Sequence, residues 1–219
     1  ISQLSPQDCI KLKREGLYIC MIKNPNPVAK NVTPQLSDAA FIREKVPMTK
    51  EEIRHVSICK LHLKSDSVLY DVGSGTGSIA VEAASLSDDM EVYAIEQKEN
   101  AVQLITQNKE KHGLENIHVI NAKAPDGIDT LPVPTHAFIG GSGGNLKEII
   151  EALKAKNPHI RIVINAISME TICEIKEILS AYDVKNEDIV QLQVSRSKQI
   201  GHYHLMQAEN PVWICSFEF

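Results

Sequence analysis

The sequence has few of the features that mark several common classes of protein. Its five cysteines among 219 residues show no CxxC spacing and no accompanying histidine pattern, so neither a disulfide framework nor a zinc site is indicated. Its apolar runs fall short of the roughly 20 residues that a membrane-spanning helix needs, and no signal-peptide pattern opens the chain. These absences favour a cytoplasmic protein with reduced thiols and no membrane partner.

The chain has no excess of positive charge, since its 28 acidic residues outnumber its 23 lysines and arginines. The formal net charge is −5 at pH 7, whereas a nucleic-acid partner would favour a basic face, so we predict no nucleic-acid binding. His202 and His204 stand close together, but no third ligand follows at a usable spacing. We therefore predict no metal site.

Residues 1–35 differ from the rest of the chain. Their pattern predicts a helix, a short strand over residues 17–22 and a linker rich in proline and asparagine, "KNPNPVAKNVTP". One strand cannot bury its own faces, and the first residue is isoleucine rather than methionine. We interpret residues 1–35 as an appendage, the tail of a preceding domain, and residues 36–219 as the main domain.

Strand and helix patterns alternate along the main domain. Thr49 and Glu52 have the spacing of a capping box, which predicts that a helix begins there. Five buried strands, with helices between them, are predicted over residues 68–72, 91–95, 116–121, 136–139 and 161–166. Two last strands, at 187–197 and 211–219, are joined by a histidine-bearing loop. The pattern predicts a doubly wound, mostly parallel α/β sheet of seven strands with an antiparallel edge strand.

The stretch "DVGSGTG", residues 71–77, follows the first of these strands. A dinucleotide-binding GxGxxG motif would place its third glycine at position 78, which is serine, so a nicotinamide oxidoreductase is disfavoured. S-adenosylmethionine carries no phosphate, and the ammonium and carboxylate of its amino-acid end suit an acid followed by bare backbone amides. We assign Asp71 to the polar network at that ammonium.

A second acid ends the next strand. Glu96 lies nineteen residues beyond Gly77, and a carboxylate at that place can accept hydrogen bonds from both ribose hydroxyls of a nucleoside. The third strand ends at residues 121–124, where an adenine edge would lie over backbone groups. The two strand ends therefore extend the predicted cofactor site.

These residues carry a resemblance to known families. "DVGSGTG" with "AIE" downstream resembles class I S-adenosylmethionine-dependent methyltransferases, which have a Rossmann-like fold. "AFIREKVPMTKEEIR", "FIGGSGGNLKEII" and "AENPVWI" resemble the C-terminal, C15-methylating and decarboxylating module of the precorrin-6Y C5,15-methyltransferase (decarboxylating) family. The resemblance implies cofactor contacts at Thr49, Gly73, Ser74, Gly75, Thr76, Gly77, Glu96 and Ala124. Lys123 stands where the family commonly has an acid.

The second glycine loop, "FIGGSGGN" at residues 138–145, follows the fourth strand. One interpretation is a flexible turn with a helix N-cap at Asn145. The other is a nest of backbone N–H groups that holds carboxylates, which suits the acetates and propionates of a precorrin. On the second interpretation we predict substrate contacts at Gly140, Gly141, Ser142, Gly143 and Gly144, and at the basic Arg196.

The resemblance implies an enzyme of cobalamin biosynthesis that methylates C15 of a precorrin and decarboxylates its C12 acetate. We assign no catalytic residue, because methyl transfer from a sulfonium depends mainly on alignment. The family also implies a C5-methylating module, fused or separate, and a homotetramer. Two alternatives stay open: a generic methyltransferase acting on another small molecule or on tRNA, and a non-catalytic cofactor-binding subunit.

Overall fold

The computed structural model describes residues 33–219 together with Ser5, Gln7, Lys11, Lys13 and Met21. The helix, the strand and most of the linker predicted for residues 1–35 lie outside the described residues. The division of the chain at residue 35 therefore stays a prediction.

Seven strands of the described chain form one sheet, in the order β3-β2-β1-β4-β5-β9-β6. The strands of the described part are β1 (Val68–Val72), β2 (Glu91–Glu96), β3 (Ile117–Asn121), β4 (His136–Ile139), β5 (Arg161–Ala166), β6 (Lys185–Leu192), β7 (Ser195–Ile200), β8 (Tyr203–Ala208) and β9 (Val212–Glu218). Strands β1 to β5 pair in parallel. The predicted seven-stranded, mostly parallel sheet is confirmed.

The far edge of the sheet is antiparallel, as the sequence predicts, because the edge strand β6 pairs antiparallel with its neighbour β9. Strand β9 lies between β5 and β6 and pairs antiparallel with both. The edge strand β6 therefore runs in the same direction as β5. Strand β9 is buried along most of its length, whereas alternate residues of β6 are exposed, so the apolar run in β9 suits the inner position.

Helices cover both faces of the sheet. Those of the described residues are α1 (Glu51–Leu61), α2 (Ser78–Ala84), α3 (Glu99–Lys111), α4 (Leu146–Lys156) and α5 (Met169–Ala181). Apolar side chains of α4 and α5 form one core with residues such as Tyr70 and Ile162. Those of α1, α2 and α3 form a second core with residues such as Leu69 and Val163. No helix among the described residues is long and apolar enough to cross a bilayer.

The start of α1 differs from the predicted capping box. The cap position is Lys50 rather than Thr49, and no side chain of the cap residue bonds to the helix. Instead, the Asp38 carboxylate accepts the Glu51 backbone N–H at 2.9 Å. The sequence pattern was wrong here because an acid thirteen residues upstream satisfies the helix end.

A buried ion pair holds the segment that leads into α1. Arg54 is fully buried, and its Nε donates to Glu82 Oε2 at 2.8 Å. The other oxygen of Glu82 accepts the backbone N–H groups of Gln35 and Leu36 at 2.6 and 2.8 Å. Removing one partner of such a pair leaves an uncompensated buried charge, so this pair fixes where residues 35–50 lie.

The predicted histidine-bearing loop is a β-hairpin. Strands β7 and β8 pair antiparallel, with Ile200 opposite Tyr203 and a two-residue turn at Gly201 and His202. Gly201 has φ +62°, which suits the first position of such a turn. The loop prediction was wrong because nearly all of the hairpin is exposed, so no buried-face alternation marks its strands.

Candidate active site

A cavity of about 850 Å³ opens at the carboxyl ends of the central strands. Strand order reverses between β1 and β4, and ligands of open α/β sheets bind at such a reversal. The two glycine turns and the ends of β2, β3 and β5 line the cavity, together with residues 46–50 and 207–210. The predicted site motifs therefore meet around one cavity.

The first glycine turn needs its glycines for backbone shape and for close approach. Gly73, Gly75 and Gly77 have φ values of +69°, +61° and +77°, a region that side chains rarely adopt. A Cβ on Gly73 would lie 2.3 Å from the carbonyl oxygen of Gly141. The tightest contact of this turn is therefore with the backbone of the second glycine turn.

The residues of the first turn divide between the cavity and the core. Gly73, Ser74 and Gly75 line the cavity wall. Thr76 is buried and its carbonyl accepts from Asn108 Nδ2 at 2.9 Å, while a Cβ on Gly77 would meet the Ile105 side chain at 3.1 Å. Cofactor contact at Thr76 and Gly77 thus stays a prediction, and both residues pack behind the wall.

Asp71 lies beneath the turn and is 1% exposed. Its Oδ2 accepts from Ser74 Oγ at 2.6 Å and from the Ala80 N–H at 3.1 Å. Its Oδ1 has no hydrogen-bond partner among the described residues. Burial raises the pKa of the Asp71 carboxyl to about 7 against the opposing effect of both hydrogen bonds, and the nearby Glu96 carboxylate also raises it.

The stability of the protein should depend on the protonation of Asp71. Its pKa rises from 3.8 to about 7 on folding, so the stability gained by protonation is complete below about pH 4 and is lost as the pH rises towards 7. Asp71→Asn cannot ionise. We expect this variant to gain stability relative to the wild type as the pH rises from 4 to 7, measured by urea unfolding. A difference that is constant over this range would contradict the assignment.

Glu96 ends β2 on the cavity wall and is 8% exposed. Its Oε2 accepts the Gly75 N–H at 2.9 Å, and its Oε1 accepts those of Gln97 and Lys98, each at 2.9 Å. A carboxylate offers about four acceptor positions, and three are occupied. Ribose hydroxyls would therefore share these oxygens with the backbone of the first turn.

Two further predicted cofactor residues line the same cavity. Ala124 follows β3, and its carbonyl accepts from Asn145 Nδ2 at 3.2 Å. Thr49 precedes α1, and its carbonyl accepts from Arg54 Nη1 at 2.8 Å. Both residues are therefore held at the cavity through their backbone carbonyls.

The second glycine turn forms the opposite wall. Gly140, Gly141, Ser142 and Gly143 line the cavity, whereas Gly144 lies just outside its wall. A Cβ on Gly141 would meet nothing within 4 Å, so this glycine faces open space on its Cβ side, while its N and O atoms lie against Gly73. Asn145 occupies the cap position of α4 without a side-chain capping bond, because its amide donates to Ala124 instead.

Arg196 lies on β7, outside the cavity wall, and its side chain is 40% exposed. Its Nε donates to Glu209 Oε1 at 2.9 Å, its Nη2 donates to Glu52, and Asp38 lies 4.0 Å away. These carboxylates neutralise the guanidinium and tie the hairpin to α1. Substrate binding by Arg196 stays a prediction, and it would require the substrate to displace one of these carboxylates.

Comparison with known proteins agrees with this geometry. A family model described as the precorrin methyltransferase domain matches residues 39–218. The chain belongs to this family. A relative from Pyrobaculum calidifontis, named a probable cobalt-precorrin-6B C(15)-methyltransferase (decarboxylating), is 38% identical over 185 residues, which are 83% of this chain and 94% of that protein.

A second relative and a solved structure support the assignment. The cobalt-precorrin-6B C(15)-methyltransferase (decarboxylating) of Salmonella typhimurium is 35% identical to this chain. The match covers 82% of this chain and 93% of that protein. The crystal structure of precorrin-6y C5,15-methyltransferase from Geobacter metallireducens has a TM-score of 0.80 and 32% identity, covering 88% of this chain and 100% of that one. This precorrin methyltransferase domain has the class I methyltransferase fold.

Some residues of the cavity were not predicted. Asn165, at the end of β5, lines the wall, as do residues 46–48 and the hairpin residues 207–210. A polar residue in the otherwise apolar strand "RIVINA" is a signal that could have found Asn165. Residues 46–48 and 208–210 lie within the stretches "AFIREKVPMTKEEIR" and "AENPVWI" that carry the family resemblance, but no chemical feature of their side chains predicted a place on the cavity wall.

Proposed function

We propose that this precorrin methyltransferase domain transfers a methyl group from S-adenosylmethionine to C15 of a precorrin and releases the carboxyl group of the C12 acetate as CO2. One observation carries the proposal: two glycine turns meet at the strand-order reversal around a single cavity, with Glu96 on its wall. The names of the relatives supply the reaction, and the cavity supplies a place for it.

The residues present fit the cofactor. Gly141 lies on the cavity wall and faces open space on its Cβ side, and the Glu96 carboxylate also lines the cavity. Glu96 would hold the ribose, the Gly73–Gly75 backbone the amino-acid end, and Ala124 the adenine edge. A volume of about 850 Å³ is at the large end of ordinary ligand sites, which span about 300–1,000 Å³, and is ample for the cofactor.

The cofactor, when bound, supplies an electrophilic methyl group on a positively charged sulfur. The residues of the cavity wall would hold that methyl group next to an electron-rich carbon of the macrocycle, which would accept it. The chain then has to align the methyl group and the carbon that accepts it, and such alignment can lower the activation barrier by up to about 7–11 kcal/mol. The residues of the cavity wall bind and orient the cofactor and the macrocycle, and we assign no general base.

Further parts of the proposal come from the family resemblance and the sequence. The turn at Gly140–Gly144 would offer its N–H groups to carboxylates of the macrocycle. We also propose that the protein acts in the cytoplasm as a homotetramer, beside a C5-methylating module that is fused to it or separate. Gel filtration with light scattering measures the oligomeric state.

The proposed function predicts which ligands stabilise the protein. S-adenosylhomocysteine should raise the melting temperature, because ligand binding to the folded state stabilises it by mass action, and NAD should not. A precorrin with methyl-labelled cofactor should then take up one methyl group for each CO2 released. Stabilisation by NAD alone would end the methyltransferase proposal.

The same assay separates the two alternatives. Methylation of a different small molecule or of tRNA, without CO2 release, would support a generic methyltransferase. Cofactor binding without turnover of any precorrin would support a non-catalytic subunit.

A further inference from the structure

One amide side chain on the cavity wall, that of Asn165, belongs to neither glycine turn and is not among the predicted cofactor contacts. Asn165 is the residue after the last β4–β5 pair, Ile139 with Ile164. It therefore lies level with the point where β4 gives way to the second glycine turn, one strand beyond the reversal of strand order. Its side chain is half-buried and on the cavity wall.

The Asn165 amide is held in a fixed orientation by a buried hydroxyl. Ser57, on α1, is fully buried, and its Oγ lies 3.0 Å from Asn165 Nδ2 and 3.1 Å from Oδ1. The single hydroxyl proton goes to the Ile53 carbonyl, at 2.7 Å. Asn165 Nδ2 therefore donates to Ser57, and its second N–H stays available to the cavity.

Asn165 lies on the other side of β1 from two of the predicted cofactor residues, Glu96 and Ala124. Glu96 ends β2 and Ala124 follows β3, on one side of β1, whereas β5 lies on the other side beyond β4. Ile167, 72% exposed, lines the cavity next to Asn165. This side of the cavity thus pairs one oriented polar group with an apolar surface, which suits the edge of a large ring that carries acid side chains.

We propose that Asn165 is a substrate-binding residue whose free amide N–H binds a side-chain carboxylate of the macrocycle, and that Ser57 is the residue that positions it. This inference rests on the proposed function of the cavity. A neutral donor binds a carboxylate less strongly than a cation does but with defined direction, so its contribution is to orientation as well as to affinity.

Three variants and a control test the inference. Asn165→Ala removes the N–H donor, and the isosteric Asn165→Asp places a negative charge against the substrate carboxylate. Ser57→Ala keeps the amide but removes the hydrogen bond that orients it. Gln107→Glu adds the same charge on the exposed surface of α3, away from the cavity. Melting temperatures and S-adenosylhomocysteine affinities identify variants that fold and bind cofactor normally.

Substrate parameters give the decisive comparison. We expect Asn165→Ala to raise the KM for the precorrin about tenfold, since a hydrogen bond to a charged group is worth roughly that factor or more. Asn165→Asp should lower kcat/KM more strongly, and Ser57→Ala should have a smaller effect in the same direction. The affinity of every variant for S-adenosylhomocysteine should stay within about twofold of that of the wild type. A KM for Asn165→Ala equal to that of the wild type would overturn the inference.

A binding measurement separates this inference from the proposed reaction. An octacarboxylic porphyrin, titrated into protein saturated with S-adenosylhomocysteine, should bind the wild type and Gln107→Glu alike and bind Asn165→Asp more weakly. Equal binding to all three proteins, or none to the wild type, would overturn the inference. Binding with the expected pattern but without turnover of a precorrin would overturn the proposed reaction alone.

Discussion

Replacing Gly73 by alanine is expected to abolish methyl transfer and to weaken S-adenosylhomocysteine binding by at least about a hundredfold. The new Cβ would lie 2.3 Å from the Gly141 carbonyl oxygen and 2.8 Å from the Gly141 nitrogen. Neither is the end of a flexible side chain, so the two glycine turns must separate. Overpacking of this kind costs about 1–3 kcal/mol in ordinary cores, and here it moves both walls of the cavity. Calorimetric titration and the labelled-methyl assay measure the loss.

Gly113 gives a matched control for Gly73→Ala. It has a similar φ of +63°, but a Cβ there would meet nothing within 4 Å, so Gly113→Ala measures the backbone strain alone, about 1–2 kcal/mol. This variant should keep most of the cofactor affinity. Equal affinities for Gly73→Ala and Gly113→Ala would show that the contact between the turns does not matter.

Much of the fold could be predicted because its central strands are buried on both faces. Strands β1, β4 and β5 are short apolar runs between turn residues, and their predicted limits agree with the structure. The β7–β8 hairpin could not be found in this way, since its residues face solvent and no periodicity separates inside from outside. The order of β6 and β9 depends on pairing partners far apart in the chain.

The position of the cavity could be predicted where one local segment carries the signal. Gly73, Ser74 and Gly75 of the motif "DVGSGTG" and the acid Glu96 lie on the cavity wall, whereas their contacts with a cofactor stay a prediction. The contact between Gly73 and Gly141 could not be predicted, because it joins two turns more than sixty residues apart. The same holds for Arg196. Its charge is visible in the sequence, whereas the carboxylates that surround it are Glu52 on α1, Asp38 ahead of α1 and Glu209 just after β8.

Replacing Glu96 by alanine is expected to weaken S-adenosylhomocysteine binding by more than about tenfold. Two physical effects contribute. The carboxylate accepts the Gly75 N–H and two further backbone N–H groups, so its loss leaves the first turn without its acceptor, and hydrogen bonds to charged groups are worth about 1.5–3 kcal/mol. The ribose hydroxyls would lose their acceptor at the same time.

The 2′-deoxy analogue of S-adenosylhomocysteine separates these two effects in a double-mutant cycle. If Glu96 binds the ribose, the wild type should prefer the normal ligand over the analogue by about tenfold, and Glu96→Ala should bind both alike. If Glu96 acts only by holding the first turn, the variant should lose affinity for both ligands by the same factor, and the preference should stay. An affinity of Glu96→Ala close to that of the wild type would exclude both roles.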